Sequence, residues 1–325
     1  MSTSTTSKLS LRTKLLFSTG DLTTSMPQAI IVFFQLSFMT DIAGLLPDYA
    51  AWAIAAGRLW DASTEPLCGV ISDRIKSKHG RRRVLLLYGA IPLGMTYAMM
   101  WFVPQFGQLG LAVFYALTFI LFDTCYTAVH VGYNSLTPEL TSDYDERSSL
   151  NGYRMVISIS GTLGAITFAT VLGWYMEDVR QLYIYLGIGL GLFSILPPMI
   201  VFRVTHAFRS NLTAEPLPVM RSILTTIRNR PFQIVMGLYL MSWTAASIMA
   251  AVLVYFANYY MRVPDQSNYL VLAAQGSAIA FVPLVVWLSK KFDKRRAFII
   301  GCASWIVFLL TIFLLQPSQV GLAFT

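Results

Sequence analysis

Long apolar stretches recur along the chain, joined by short polar connections in which basic residues gather. A helix needs roughly 20 mostly apolar residues to cross ~30 Å of hydrocarbon. Such a window fits about nine segments, near 15–40, 48–72, 84–103, 108–136, 150–174, 181–204, 232–260, 267–289 and 297–315. Repetition on this scale excludes a single anchor and predicts an all-α, multi-pass integral protein of a cell membrane, plasma or inner. Lys8, Arg12 and Lys14 precede the first segment, and Arg74, Lys76, Lys78, Arg81, Arg82 and Arg83 lie between the second and third. Arg203, Arg209, Arg221, Arg228 and Arg230 flank the sixth-to-seventh connection, and Lys290, Lys291, Lys294, Arg295 and Arg296 follow the eighth segment. The alternate loops, such as Val103 to Gln108 and Met261 to Gln266, carry at most one basic residue. Because Lys and Arg collect on the cytoplasmic side of membrane proteins, the N-terminus is expected inside. Asn211-Leu212-Thr213 has the form of a glycosylation acceptor, but it falls in a loop assigned to that same side.

The longest polar interval runs from His206 to Arg230, contains Pro216 and Pro218, and is followed by Pro231. It divides the chain into an N-terminal six-helix half over 1–205, a central cytoplasmic linker over 206–231, and the first three helices of a second half over 232–325. An internal echo supports the halves. Gly69-Val-Ile-Ser-Asp73-Arg-Ile-Lys-Ser-Lys-His-Gly80-Arg-Arg-Arg83 follows segment two, and Trp287-Leu-Ser-Lys-Lys-Phe-Asp293-Lys-Arg-Arg296 follows segment eight. Segment eight therefore reads as segment two of a second repeat. Two such halves make twelve spans, so nine are expected here, with the apolar Val320 to Thr325 opening a further helix of a longer chain.

Composition agrees with a bilayer as solvent: 55% of residues are hydrophobic and 12% charged, too little polar surface to cover a soluble globule. The net charge of +8 resides in the connections rather than on a helix face, which argues against nucleic acid as a partner. The N-terminal Met1 to Arg12 is rich in Ser and Thr and lacks the apolar core of a cleavable signal. Cys68, Cys125 and Cys302 sit in apolar segments as small hydrophobes, and their odd number does not suggest a disulfide framework. An enzyme is not expected: the chain has neither a zincin histidine pair nor a Gly-Xaa-Ser-Xaa-Gly turn nor a phosphate-cradling glycine loop.

Ionisable groups at membrane depth carry the functional signal, because an unpaired charge at a helix centre costs roughly 2.5 kcal/mol or more. Arg58, Asp61 and Glu65 follow one another at spacings of three and four, so one helix face presents all three. Two carboxylates one turn apart suit a hard monovalent cation, or a proton held by whichever acid the other charge makes more basic. The plainer alternative is an Arg58–Asp61 pair that neutralises a structural charge. In segment four, Asp123 and His130 lie seven residues apart on a similar face, with Tyr126 and Thr127 between them. His130 can relay protons, hold a hydroxyl of a solute, or be satisfied by a neighbouring polar group. Asp21, just after Gly20, is either an intramembrane contact or a polar residue that caps or unwinds the first helix. Tyr153, Trp243, Tyr255 and Tyr259 can stack on sugar rings or fill helix interfaces.

Arg58-Leu-Trp-Asp-Ala-Ser-Thr-Glu-Pro-Leu-Cys-Gly69 and the following Ser72-Asp-Arg-Ile-Lys-Ser-Lys-His-Gly-Arg-Arg-Arg83 resemble the signature of the glycoside/pentoside/hexuronide:cation symporter family, the family of melibiose permease. Gly20-Asp21, Thr40-Asp-Ile-Ala-Gly44, the stretch from Tyr126 to Arg147, and Tyr153-Arg154 extend the likeness across the first half. The resemblance implies a transporter of the major facilitator superfamily, with about nine of twelve transmembrane helices present. It implies symport of a sugar or glycoside with sodium or a proton, no cofactor beyond that ion, and a lipid bilayer around it. A cation site is implied at Asp61, Thr64, Glu65 and Thr127, with Na+ at Asp61 and Glu65. Substrate contacts are expected from Asp21, Ser25, Arg58, Asp123, Tyr126, His130 and Arg154. Gly69, Asp73, Gly80, Arg81, Arg82 and Arg83 resemble the cytoplasmic gating loop, or serve simply as positive-inside anchors. Glu65 stands where the family usually has Asp, His130 where melibiose permease has a carboxylate, and Ser25 where that permease has a sugar-contacting Asp. These departures leave sodium and proton open, and keep a lipid-handling or transport-inactive relative as the alternative.

Overall fold

A computed structural model describes residues 9–75, 77, 80, 82–141, 143–207, 228–262, 267–292 and 294–314. Among the described residues the chain is helical, with no strand. This is the form in which a backbone satisfies its own polar groups inside hydrocarbon.

Helices α1 (Leu11–Ser18) and α2 (Gly20–Ser37) make the first span, interrupted at Thr19. Ser10 caps α1 by accepting a hydrogen bond from the Thr13 amide at 3.2 Å. The span closes in a π-helical turn, Phe38–Ile42, whose last bond runs from the Ala43 amide to the Phe38 carbonyl at 2.9 Å. Gly44 then adopts a φ of 69°, the left-handed conformation that glycine reaches without strain. The chain continues through α3 (Pro47–Arg74), α4 (Arg83–Met100), α5 (Gln108–Leu140), α6 (Tyr144–Tyr175) and α7 (Val179–Val204). Asp143 and Asp178 cap α6 and α7 through the amides of Glu146 and Arg180, at 2.8 and 2.9 Å. After the interval that lies outside the described residues come α8 (Arg230–Tyr255), which ends in a second π-helical turn (Phe256–Tyr260), then α9 (Ser267–Lys291) and α10 (Lys294–Leu314).

All nine segments expected from the sequence coincide with helices, but only six described stretches are apolar enough to count as spans by length and composition: 11–42, 83–100, 108–140, 149–175, 179–204 and 230–260. α3 has the length of a span, and Arg58, Asp61 and Glu65 in its middle hold its hydropathy down. The helices outrun the apolar windows at charged ends; α5 reaches Leu140 and α6 begins at Tyr144, because helix-compatible polar residues continue the spiral past the hydrocarbon.

The chain divides into two compact units, one running to Ile248 and one from Met249 onward. Within the first unit α2 packs against α6 and α7, α4 lies between α5 and α7, and α3 leans on α5. A cluster of buried aromatics locks one end of this bundle: Phe38 meets Trp101 at 5.1 Å between ring centres, and Trp101 stacks on Tyr183 at 5.4 Å. The other end is tied by charges. Lys14 of α1 pairs with Glu146 of α6 at 3.0 Å, and Arg82 bridges to Glu139 of α5 at 3.0 Å. Arg83 donates to the Thr205 hydroxyl at 3.1 Å and the Phe202 carbonyl at 2.5 Å. In the second unit α9 packs against α10 and the Phe256–Tyr260 turn.

Candidate ion and substrate site

The polar heart of the first unit is a ladder between α3 and α5. Gln108 at the start of α5 accepts from the Leu46 amide at 2.9 Å and donates to the Gly44 carbonyl at 2.8 Å, setting the register of the two helices. One step along, Gly57 lies against the Phe119 ring, so close that a Cβ there would stand 1.9 Å from a ring carbon. The Arg58 guanidinium lies over the same ring at 5.6 Å from its centre. Next, the Trp60 indole N–H donates to the Thr124 hydroxyl at 2.8 Å. Asp61 then lies close enough to Asp123 to contribute, with Arg58 and Glu65, to the electrostatic field at that carboxylate. Last, Glu65 Oε1 faces His130 Nδ1 at 4.0 Å. From Gly57 to Glu65 on α3 the partners on α5 advance from Phe119 to His130, so the two helices run parallel and their polar faces meet.

Asp61 and Glu65 thus share a face of α3 and meet different partners on α5. Asp61 is half-buried and Glu65 exposed within the described structure. Thr64 is buried, and its hydroxyl donates to the carbonyls of its own turn, Trp60 at 3.0 Å and Asp61 at 3.2 Å. Only its lone pairs are left for a ligand. Thr127 is buried as well, one turn beyond Asp123. Among the described residues no three His, Cys, Asp or Glu side chains gather to cage a metal ion.

A second polar cluster begins at His130. The Asn134 side-chain amide meets its Nε2 at 2.8 Å, and the Asn134 carbonyl oxygen accepts from Arg154 of α6 at 2.7 Å. Arg154 also grips Asp21 with two donors, Nε to Oδ2 at 2.8 Å and a terminal nitrogen to Oδ1 at 3.0 Å, and donates to the Thr137 hydroxyl at 2.9 Å. Tyr133 donates its hydroxyl to Asp21 Oδ2 at 2.6 Å, and its ring lies under the guanidinium at 4.4 Å. Gly20 makes this approach feasible: a Cβ there would stand 2.4 Å from the Tyr133 ring. Asp21 is therefore neither a helix cap nor a free carboxylate but the acceptor of a buried, charge-assisted fork. Tyr126 stacks on His130 at 5.5 Å between ring centres.

Of the expected substrate residues, Asp21, Arg154 and His130 are joined in one network with Tyr126 stacked beside it, while Arg58 and Asp123 belong to the α3–α5 ladder. Ser25 stands apart, pressed against Gly161 of α6. In the expected gating loop, Gly80 turns the chain with a φ of 93°, and Arg82 and Arg83 are fastened to α5 and α7 of their own unit. Gly69 is an interior residue of α3, where a Cβ would meet nothing within 4 Å. Arg81 and the Asp73 side chain lie outside the described residues. Sequence reasoning missed Tyr133, Asn134 and Thr137. Asn134 and Tyr133 follow His130 at helical spacings of four and three, a signal on one helix, but their partners on α2 and α6 are set only by folding.

Residues 16–325 match the family described as MFS/sugar transport protein. An uncharacterised symporter of Synechocystis sp. is 29% identical over 98% of this chain and 74% of its own length. The candidate glycoside/cation symporter YagG of Escherichia coli is 25% identical over 98% of this chain and 69% of its own length. Sodium-dependent lysophosphatidylcholine symporter 1 of Xenopus tropicalis is 24% identical over 96% of this chain and 66% of its own length. The chain thus spans about two thirds to three quarters of the length of these curated relatives. With a match that takes in nearly every residue, the chain belongs to the MFS/sugar transport protein family, multi-pass membrane transporters of the major facilitator superfamily.

Proposed function

We propose that the chain acts in cation-coupled symport, moving a sugar or glycoside together with a monovalent cation, sodium or proton, across the cell membrane by alternating access. The observation that carries this reading is the α3–α5 ladder, in which a span-length helix presents Arg58, Asp61 and Glu65 to the acid and histidine of its neighbour. Charges so placed are costly in a bilayer and are retained at ion and substrate pathways. The family description and the glycoside/cation symporter among the relatives support a sugar as cargo. Asp61, Thr64, Glu65 and Thr127 are the cation-site residues of this reading, with Na+ at the α3 carboxylates. The Asp21–Arg154–Asn134–His130 network, with Tyr126 stacked on His130, supplies donors and acceptors suited to sugar hydroxyls. Coupling follows when the cation binds one conformation more tightly and that conformation also binds the solute better.

A second reading has its own support. The relatives include sodium-dependent lysophosphatidylcholine symporters, so a lysophospholipid is the alternative cargo.

The test is uptake into proteoliposomes from a panel of labelled glycosides, pentoses and lysophosphatidylcholine, under an imposed sodium or proton gradient. One solute is expected to accumulate under one gradient, and Asp61→Asn is expected to abolish the gradient dependence. Accumulation of lysophosphatidylcholine and of no sugar selects the second reading; uptake indifferent to both gradients and to the substitution refutes symport.

A further inference from the structure

His130 lies between the Asp21–Arg154 network and the α3 acid Glu65, and the hydrogen bonds around it have a fixed direction. Arg154 carries N–H donors and no acceptor, so the Asn134 atom that it meets at 2.7 Å is the carbonyl oxygen. The other end of that amide, which can only donate, therefore faces His130 Nε2 at 2.8 Å. A ring nitrogen that accepts carries no proton, and a neutral imidazole with Nε2 bare holds its proton on Nδ1. Nδ1 is the nitrogen turned to Glu65 Oε1, 4.0 Å away. Stacking on Tyr126, with 21° between the two ring planes, holds the imidazole in that orientation. The donors thus run one way, from α6 through α5 to α3. Their direction is imposed at the end where Arg154 is anchored by Asp21 and Thr137.

We propose that Asn134 is a positioning residue: it fixes His130 as the Nδ1–H tautomer, a donor turned toward Glu65, and makes that tautomer depend on the hold of Arg154 on the Asn134 carbonyl. An amide turned over sets its NH2 against the guanidinium, donor against donor, and its oxygen against Nε2, which then needs a proton. Amide and tautomer consequently turn together: one proton leaves Nδ1, one arrives at Nε2, and the ring stays neutral. Whatever draws Arg154 away from Asn134 permits that turn and takes the donor away from Glu65, so a contact made on α6 is read on α3. The place of the proton follows from the hydrogen bonds; its use in coupling rests on the symport reading, in which Glu65 belongs to the cation site and Arg154 to the solute network.

The full chain, purified in detergent with isotopically labelled histidine nitrogens, is tested by nitrogen NMR at about pH 8.5, where an ordinary histidine is neutral. Protonated and bare ring nitrogens resonate far apart, and of the three histidines the one whose signals vanish in His130→Gln is identified as His130. The wild type is expected to favour Nδ1–H over Nε2–H at least about tenfold, the scale of one hydrogen bond made or left unmade. Asn134 is exposed, so its replacement leaves the bundle intact. Asn134→Asp, whose carboxylate only accepts, is expected to place the proton on Nε2. Asn134→Leu, and Asp21→Asn joined to Arg154→Ala, are expected to reduce the preference below about threefold, since neither leaves an amide locked against Nε2. Glu65→Gln is expected to keep the preference, because the amide and not the carboxylate sets it. A proton on Nε2 in the wild type, or a preference that survives Asn134→Asp or Asn134→Leu, overturns the assignment, as does one lost in Glu65→Gln. A preference that survives the Asp21 and Arg154 double change overturns the part given to Arg154. The spectrum is read without transport: a chain that shows the expected pattern but accumulates no solute keeps the tautomer and fails the symport reading, and a chain that accumulates solute without the pattern does the reverse.

Discussion

Arg154 commits four of its five N–H donors: two go to the two oxygens of Asp21, one to Thr137 and one to Asn134. The pair is largely buried, and such pairs are far costlier to break than to replace, because the surviving charge is left stranded. Arg154→Ala is therefore expected to destabilise the first unit by about 3–5 kcal/mol, read as a lowered melting midpoint of the purified chain. Joining it to Asp21→Asn should restore part of the loss, since the double variant strands no charge. Arg154→Lys should not rescue it, because an ammonium cannot make the two-pronged contact. A loss below about 1 kcal/mol on Arg154→Ala would mean that the pair behaves as a solvated surface bridge.

At the scale of elements, α4 and α7 cross at Gly94 and Gly191. A Cβ on Gly94 would stand 2.4 Å from the Gly191 carbonyl oxygen, and one on Gly191 would stand 2.5 Å from that of Gly94. The obstacle on each side is backbone, which cannot rotate away, and close crossings of this kind hold membrane helices together by packing. Gly94→Val should push the helices apart and cost at least about 2 kcal/mol, in the range of overpacked cores. Gly164→Ala in α6, where nothing lies within 4 Å of the new carbon, should be neutral or slightly favourable. Melting the two variants side by side checks both expectations. The same contrast shows what the sequence made legible. Hydrophobic runs located the helices, and spacings of three and four put Arg58, Asp61 and Glu65 on one face, because both are properties of a single helix. The break at Thr19 falls beside Gly20 and Asp21, where an unwinding is one of the readings, whereas the π-helical turns had no signal in the spacing. Nor had the destination of each charge: Glu65 meets His130 while Asp61 meets Asp123, a choice made by the register of α3 on α5.

For the whole molecule, the unequal ends of the first unit bear on its orientation. One end is closed by stacked aromatics around Trp101 and the other by Lys14–Glu146, Arg82–Glu139 and the Arg83 contacts. Helices entering and leaving in alternation bring the start of α1, the start of α4, the end of α5, the start of α6 and the end of α7 to that second end, where the basic connections also lie. Positive charge near a span is retained on the cytoplasmic side during insertion. The charged end is therefore expected in the cytoplasm, and the turn between α4 and α5, at Phe106 and Gly107, outside. Fusing a reporter that is active only outside the cytoplasm after Gly107 should give signal, and fusing it after Gly80 should give none; a fluorescent protein that matures only in the cytoplasm should show the reverse. The opposite pattern would invert the protein and place the Arg82 and Arg83 ties on the outer face, where they could not act as a cytoplasmic gate. The expected pattern would put the tie between α4 and α5 on the cytoplasmic side, and would make Glu139→Gln the next variant to examine for a changed ratio of inward to outward transport.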